Sequence, residues 1–75
     1  MTEKEFIELI KKKRLILWIS QKELAKQIPI SKSAYSKIEN HIQNPSFFVI
    51  LRLAEIFDID LNLFKSTPKD FIEYD

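Results

Sequence analysis

Residues 19–40 read ISQKELAKQIPISKSAYSKIEN, and two serines in this stretch, Ser20 and Ser31, stand where helices begin. Ser20 is followed three residues later by Glu23, the spacing of a capping box. The helix it opens carries Leu24, Ala25 and Ile28 on one face. Pro29 stops it after barely two turns, because the residue before a proline is pushed away from helical geometry. Ser31 caps a second short helix. Tyr35 and Ile38 point inward there, while Ser33, Ser36, Lys37 and Asn40 recur at i, i+3, i+4 and i+7 as a polar outer stripe.

Working outward, Thr2 and Glu5 form another capping box, so a first helix starts near residue 3. Phe6, Ile10, Arg14 and Leu17 follow as one inward stripe, in which Arg14 is the odd member. Downstream, HIQNP is a loop and Ser46 caps a fourth helix with inward positions Phe47, Ile50, Leu53, Ala54 and Phe57. Asp58-Ile59-Asp60 breaks it, and Asp60 caps a short fifth helix containing Leu61 and Phe64. Thr67-Pro68 can start one more turn in the acidic tail. No alternating strand pattern occurs. The fold class is all-α, with four or five short helices.

A chain of 75 residues holds one core. The organisation expected is a domain over residues 1–65, its paired short helices at about 20–40, followed by an acidic tail over 66–75 that supports dimerisation. Cysteine is absent and histidine occurs once, at His41, which leaves little for a metal site, and no cofactor is implied. The longest apolar runs, LILWI and FFVIL, fall short of a membrane span or a signal sequence, so a cytoplasmic location is expected. Gly is absent, which removes glycine-rich phosphate loops, and His41 has no Ser-acid set around it, so catalysis is not expected. Net charge is +1, but residues 10–40 carry eight Lys/Arg against Glu23 and Glu39, between two acidic ends. A basic middle gives one face suited to a polyanion.

Two helices joined by a tight turn, the second with an inward apolar pair and an outward small-polar stripe, describe a helix-turn-helix. The major groove of DNA is about 12 Å wide and admits one helix whose outer side chains are short. Ser33, Ala34 and Ser36 are short; Lys32 and Lys37 reach guanine acceptors or phosphates, and Asn40 a base or phosphate. The first helix of the pair aims its N-terminus, with Gln21 and Lys22, at the backbone.

From Phe6 to Phe64 the chain resembles the Cro/repressor-type (XRE) helix-turn-helix family. The resemblance is carried by ISQKELA (19–25), IPISKSAYSKIE (28–39), NPS (44–46) and LRLAEIFDIDLNLF (51–64). It implies a five-helix, lambda-repressor-like domain that binds palindromic operator DNA as a homodimer, in a bacterium, phage or mobile element. It places Gln21, Lys32, Ser33, Ser36 and Lys37 on DNA-facing positions and the Asn44 backbone on a phosphate-facing one. It also implies that Arg14 pairs with Glu39, tying the first helix to the recognition helix.

The chain departs from the family in three ways. Where the family commonly has Gly, it carries Trp18, Pro29, His41 and Asp58. His41 and Asp58 tolerate positive φ, whereas the turn at Trp18 is expected to be rebuilt and the bend at Pro29 to differ locally. Positions usually polar are apolar: Leu15, Ile16 and Trp18, a candidate surface for another protein, and Phe48, Val49, Ile56 and Leu63. Ile56, Leu63, Phe71 and Tyr74 are the dimer candidates. The loop before the fourth helix, HIQN, lacks the basic residues often found there. The functional expectation is a sequence-specific transcriptional regulator, a repressor that can regulate its own gene. The alternatives are a restriction–modification controller within the same class, or an antitoxin-type protein-interaction module from another.

Overall fold

The computed structural model describes residues 1–64. Four α-helices follow one another: α1 (Glu3–Ile16), α2 (Gln21–Gln27), α3 (Lys32–Glu39) and α4 (Phe47–Ile56). A single 3-10 turn, Leu61–Phe64, stands where a fifth α-helix was expected. There Asp60 Oδ1 accepts from the Asn62 amide at 2.9 Å, which holds a tight turn instead of capping a longer helix. No strand occurs among the described residues. The extra turn expected at Thr67-Pro68 lies outside them.

Every α-helix begins on a hydroxyl. Thr2, Ser20, Ser31 and Ser46 have extended backbones, and each side-chain oxygen accepts the amide three residues on, at 3.0–3.2 Å. At Thr2 the box is reciprocal, because the Thr2 amide donates to Glu5 Oε1 at 2.8 Å. Such a cap is worth about 1 kcal/mol per helix, which matters most for α2 and α3, too short to persist alone.

The other helix ends close without glycine. Trp18, His41 and Asp58 take φ of 60°, 60° and 54°. Trp18 therefore adopts the left-handed geometry itself, and the rebuilt turn expected there does not occur. At Pro29 the Ile28–Pro29 peptide is cis, and α2 stops after Gln27.

α3 lies closest to α2 and α1, and the core gathers between the helices. Phe6, Ile7 and Ile10 from α1 meet Leu24, Ala25, Ile28, Tyr35 and Ile38, with Val49, Leu53 and Ala54 from α4. Burying a side chain of the size of Leu, Ile or Phe contributes about 1.5–3 kcal/mol. Two inward expectations are corrected. Leu17 is 58 % exposed because α1 ends at Ile16, so the stripe stops one turn earlier. Phe47 is 71 % exposed and Val49, expected outside, is 5 % exposed. All of α4 except Arg52 and Glu55 is apolar, so its pattern leaves the inward face unphased; starting at Phe47, the helix sends Val49 and Leu53 inward on one row. Ile50, Ile56 and Phe57 pack half-buried against the core.

Candidate nucleic-acid interface

The outer face of α3 is free of the core. Lys32, Ser33, Lys37 and Asn40 are exposed, and Ala34 and Ser36 half-buried between them. Asn40 Nδ2 lies 3.5 Å from Ser36 Oγ, at the long limit of a hydrogen bond. Lys22 at the start of α2 and Asn44 in the following loop are also exposed. Of the residues read as DNA-facing, Gln21 also faces the buried cluster. It is half-buried, and its Nε2 donates to Glu39 Oε1 at 2.9 Å. A primary amide has two N–H groups, so one donor remains for a phosphate.

The inner face of α3 is held by one carboxylate. Glu39 is 2 % exposed and accepts Arg14 Nε at 2.7 Å, Arg14 Nη2 at 3.1 Å, Tyr35 Oη at 2.5 Å and Gln21 Nε2 at 2.9 Å. Arg14 Nη1 donates onward to the Ile19 carbonyl at 2.8 Å, pinning the α1–α2 connection. Burial alone would push the Glu39 carboxyl up; hydrogen bonds from Arg14, Tyr35 and Gln21 outweigh it and hold the group below its ordinary range. The same contacts push the Arg14 guanidinium up, with the Glu39 hydrogen bond foremost. Burial, then the bond to Glu39, raises the Tyr35 hydroxyl, so it stays a donor. This cluster joins α1, α2 and α3 and fixes which side of α3 faces out.

Sequence reading missed a contact between α1 and the loop after α3. His41 Nε2 lies 2.6 Å from Glu8 Oε2 on the surface, and the bond to His41 holds the Glu8 carboxyl below its ordinary range. Positive φ aims the His41 ring, and neither residue's spacing announces a partner 33 positions away.

Two grooves lined by apolar residues lie at the surface. Ile16 and Leu17 at the end of α1 meet Ile56 and Phe57 at the end of α4, beside exposed Leu15 and Trp18. Of the partner candidates Leu15, Ile16 and Trp18, Ile16 shares this groove with the dimer candidate Ile56. Phe48 and Leu51 line the second groove with Ile59 and Leu61. Phe71 and Tyr74 lie outside the described residues, and the Leu63 side chain is likewise not described.

Comparison with known proteins agrees with this geometry. A helix-turn-helix family model matches residues 10–64. The chain is 37 % identical over 65 residues to the ImmF control region 10 kDa protein of Bacillus phage phi105, covering 87 % of this chain and 72 % of that one. No solved structure matches significantly. With the caps of α2, α3 and α4, the Glu39 cluster and the outward α3 row inside the matched span, the chain belongs to the XRE-type helix-turn-helix family of DNA-binding transcription regulators.

Proposed function

We propose that this protein is a sequence-specific repressor that binds a palindromic operator as a homodimer, with α3 in the major groove. The observation that carries this reading is the division of α3. Its inner face is locked by Glu39, while Lys32, Ser33 and Lys37 stand exposed on the outside. A helix fixed on one side presents its other side at a defined angle, which base readout requires. Lys32 and Lys37 reach base acceptors or phosphates, Ser33 and Ser36 permit close approach, and Ala34 adds a methyl able to meet a thymine methyl. Asn40, Lys22, Gln21 and the Asn44 backbone engage phosphates on either side.

The phi105 relative is named for a phage control region. That favours, for this chain, a switch in a phage or other mobile element over a restriction–modification controller. Such a protein works in the cytoplasm of a bacterial host. Dimerisation through the end of α4 and the segment beyond it, with Ile56, Leu63, Phe71 and Tyr74 as the apolar contacts, sets two recognition helices on one side of a duplex. Half-sites then lie about 34 Å apart, or a multiple of that.

Selection of bound sequences from a random duplex pool at moderate salt tests the proposal. The expected result is a palindromic motif with half-sites about one helical turn apart. Absence of enrichment, at concentrations where the helical signal is intact, would overturn it. A second reading, an antitoxin-type protein-interaction module, draws on the exposure of Trp18 (92 %) beside Leu15 and Ile16. Partner binding that ignores salt and survives Lys37→Ala would favour it.

A further inference from the structure

Three of the four helix ends close on themselves. After α1, α3 and α4, the left-handed residue donates to the carbonyl three residues back: Trp18 to Leu15, His41 to Ile38, Asp58 to Glu55. The next residue then donates five back: Ile19 to Arg14, Ile42 to Lys37, Ile59 to Ala54. After α2 only the second bond can form, from the Ile30 amide to the Ala25 carbonyl at 2.8 Å. The first has no donor, because residue 29 is proline.

That bond would end on the Lys26 carbonyl; the next two carbonyls receive donors from another helix. Arg52 of α4 sends Nη2 to the Gln27 carbonyl at 2.6 Å and Nε to the Ile28 carbonyl at 3.3 Å. Its Nη1 bonds Glu55 Oε1 at 2.5 Å, which steadies the guanidinium from its own helix. A cation at a helix C-terminus meets the negative end of the dipole, and the planar fork reaches two carbonyls at once.

We infer that Arg52 is a positioning residue for the recognition helix. It caps the Gln27 and Ile28 carbonyls at the C-terminus of α2, fixes the turn from which α3 starts, and so sets how Lys32, Ser33 and Lys37 meet DNA. It acts through Gln27 and Ile28 and not by touching the duplex. The cap stands on geometry alone; the step to DNA rests on the function proposed above.

Amide exchange and melting without DNA test the cap, and duplex binding tests the positioning. Without DNA, Arg52→Gln should lower the melting midpoint by several degrees and speed amide exchange at Ile28 and Ile30, around the capped carbonyls, more than at Ile19 after α1. Equal exchange changes at the two helix ends would overturn the cap.

With DNA, the probes are the duplex recovered from the random pool and a scrambled duplex of equal length. Arg52→Gln should weaken the first about tenfold, hold the second within about twofold, and leave the salt slope unchanged. Arg52→Lys, which keeps the charge but loses the fork, should recover part of the loss. A parallel loss on both duplexes with a shallower slope would make Arg52 a phosphate contact and overturn the positioning role. So would a lowered midpoint with unchanged affinity for the selected duplex. If the pool yields no preferred duplex, the DNA reading fails and the positioning role falls with it, while the exchange measurement still decides the cap.

Discussion

The two faces of α3 do different work within eight residues. The inner face sets Tyr35, Ile38 and Glu39 among buried partners, and each polar atom described there has a close hydrogen bond. The outer face carries Lys32, Ser33 and Lys37 in solvent, with the long Asn40–Ser36 contact beside them. One face therefore decides whether the helix exists in place, and the other what it can bind. Substitutions on the two faces should separate cleanly into losses of stability and losses of recognition.

The largest effect belongs to the inner face. Arg14→Ala leaves Glu39 at 2 % exposure without its cation. Removing one partner of a buried pair costs about 3–5 kcal/mol, a large share of what a domain of this size has. Thermal melting by circular dichroism should show a midpoint lower by well over ten degrees, or no cooperative transition. An unchanged midpoint would mean that Glu39 is satisfied without Arg14, and the division of labour within α3 would lose its basis.

On the outer face, Lys37→Ala should leave melting unaltered and weaken binding to a selected duplex. If Lys37 meets a phosphate, the slope of log K against log salt should fall by about 0.9 and all sequences weaken together. If it reads a base, the slope holds and discrimination at one position drops by about 1–3 kcal/mol. A fall in the melting midpoint would show that the outer face also carries stability, and the comparison would fail from that side.

Acid should act on the inner face through Glu39. The Glu39 carboxyl titrates below its ordinary value of 4.5 in the folded state, so its contribution is complete above about that pH. As pH falls from 4.5 through the folded-state value, protonation removes that contribution. The melting midpoint should hold steady from neutral pH to about 5 and then decline. Glu8 titrates in the same direction on the surface, so the decline should be read in a Glu8→Gln background. A decline that begins above pH 5 would place the responsible group elsewhere.

The architecture was legible where side-chain chemistry acts locally. Hydroxyls at Thr2, Ser20, Ser31 and Ser46 announce helix starts because the cap bond spans three residues and needs nothing else. The outer row of α3 was visible as a polar stripe on a short helix. The inward phase of α4 was not, because a nearly all-apolar helix carries no amphipathic signal. Pairing of Arg14 with Glu39 followed from family resemblance alone, and the structure sets the two 2.7 Å apart. Tyr35, Gln21, His41–Glu8 and Arg52 joined their partners only in three dimensions, since each contact depends on how helices cross or on where a left-handed residue turns the chain.

That left-handed geometry gives the smallest and most diagnostic prediction. Trp18 holds φ of 60° while its side chain is 92 % exposed, so it takes on backbone strain with little packing in return. A bulky residue in this region costs about 1–2 kcal/mol, whereas glycine accepts it and loses about 0.5–1 kcal/mol to greater freedom in the unfolded chain. Trp18→Gly should therefore stabilise the monomer by about 0.5–1 kcal/mol, a rise of a few degrees in the midpoint. The measurement belongs at low micromolar protein and again at tenfold higher concentration. If the variant gains stability at both, Trp18 is a free surface residue and its cost is uncompensated. If it loses stability, increasingly so at the higher concentration, the indole packs in an assembly. The strain at residue 18 would then be offset by an interface that includes Leu15 and Ile16, and the recognition face of α3 would be matched by an association face at the end of α1.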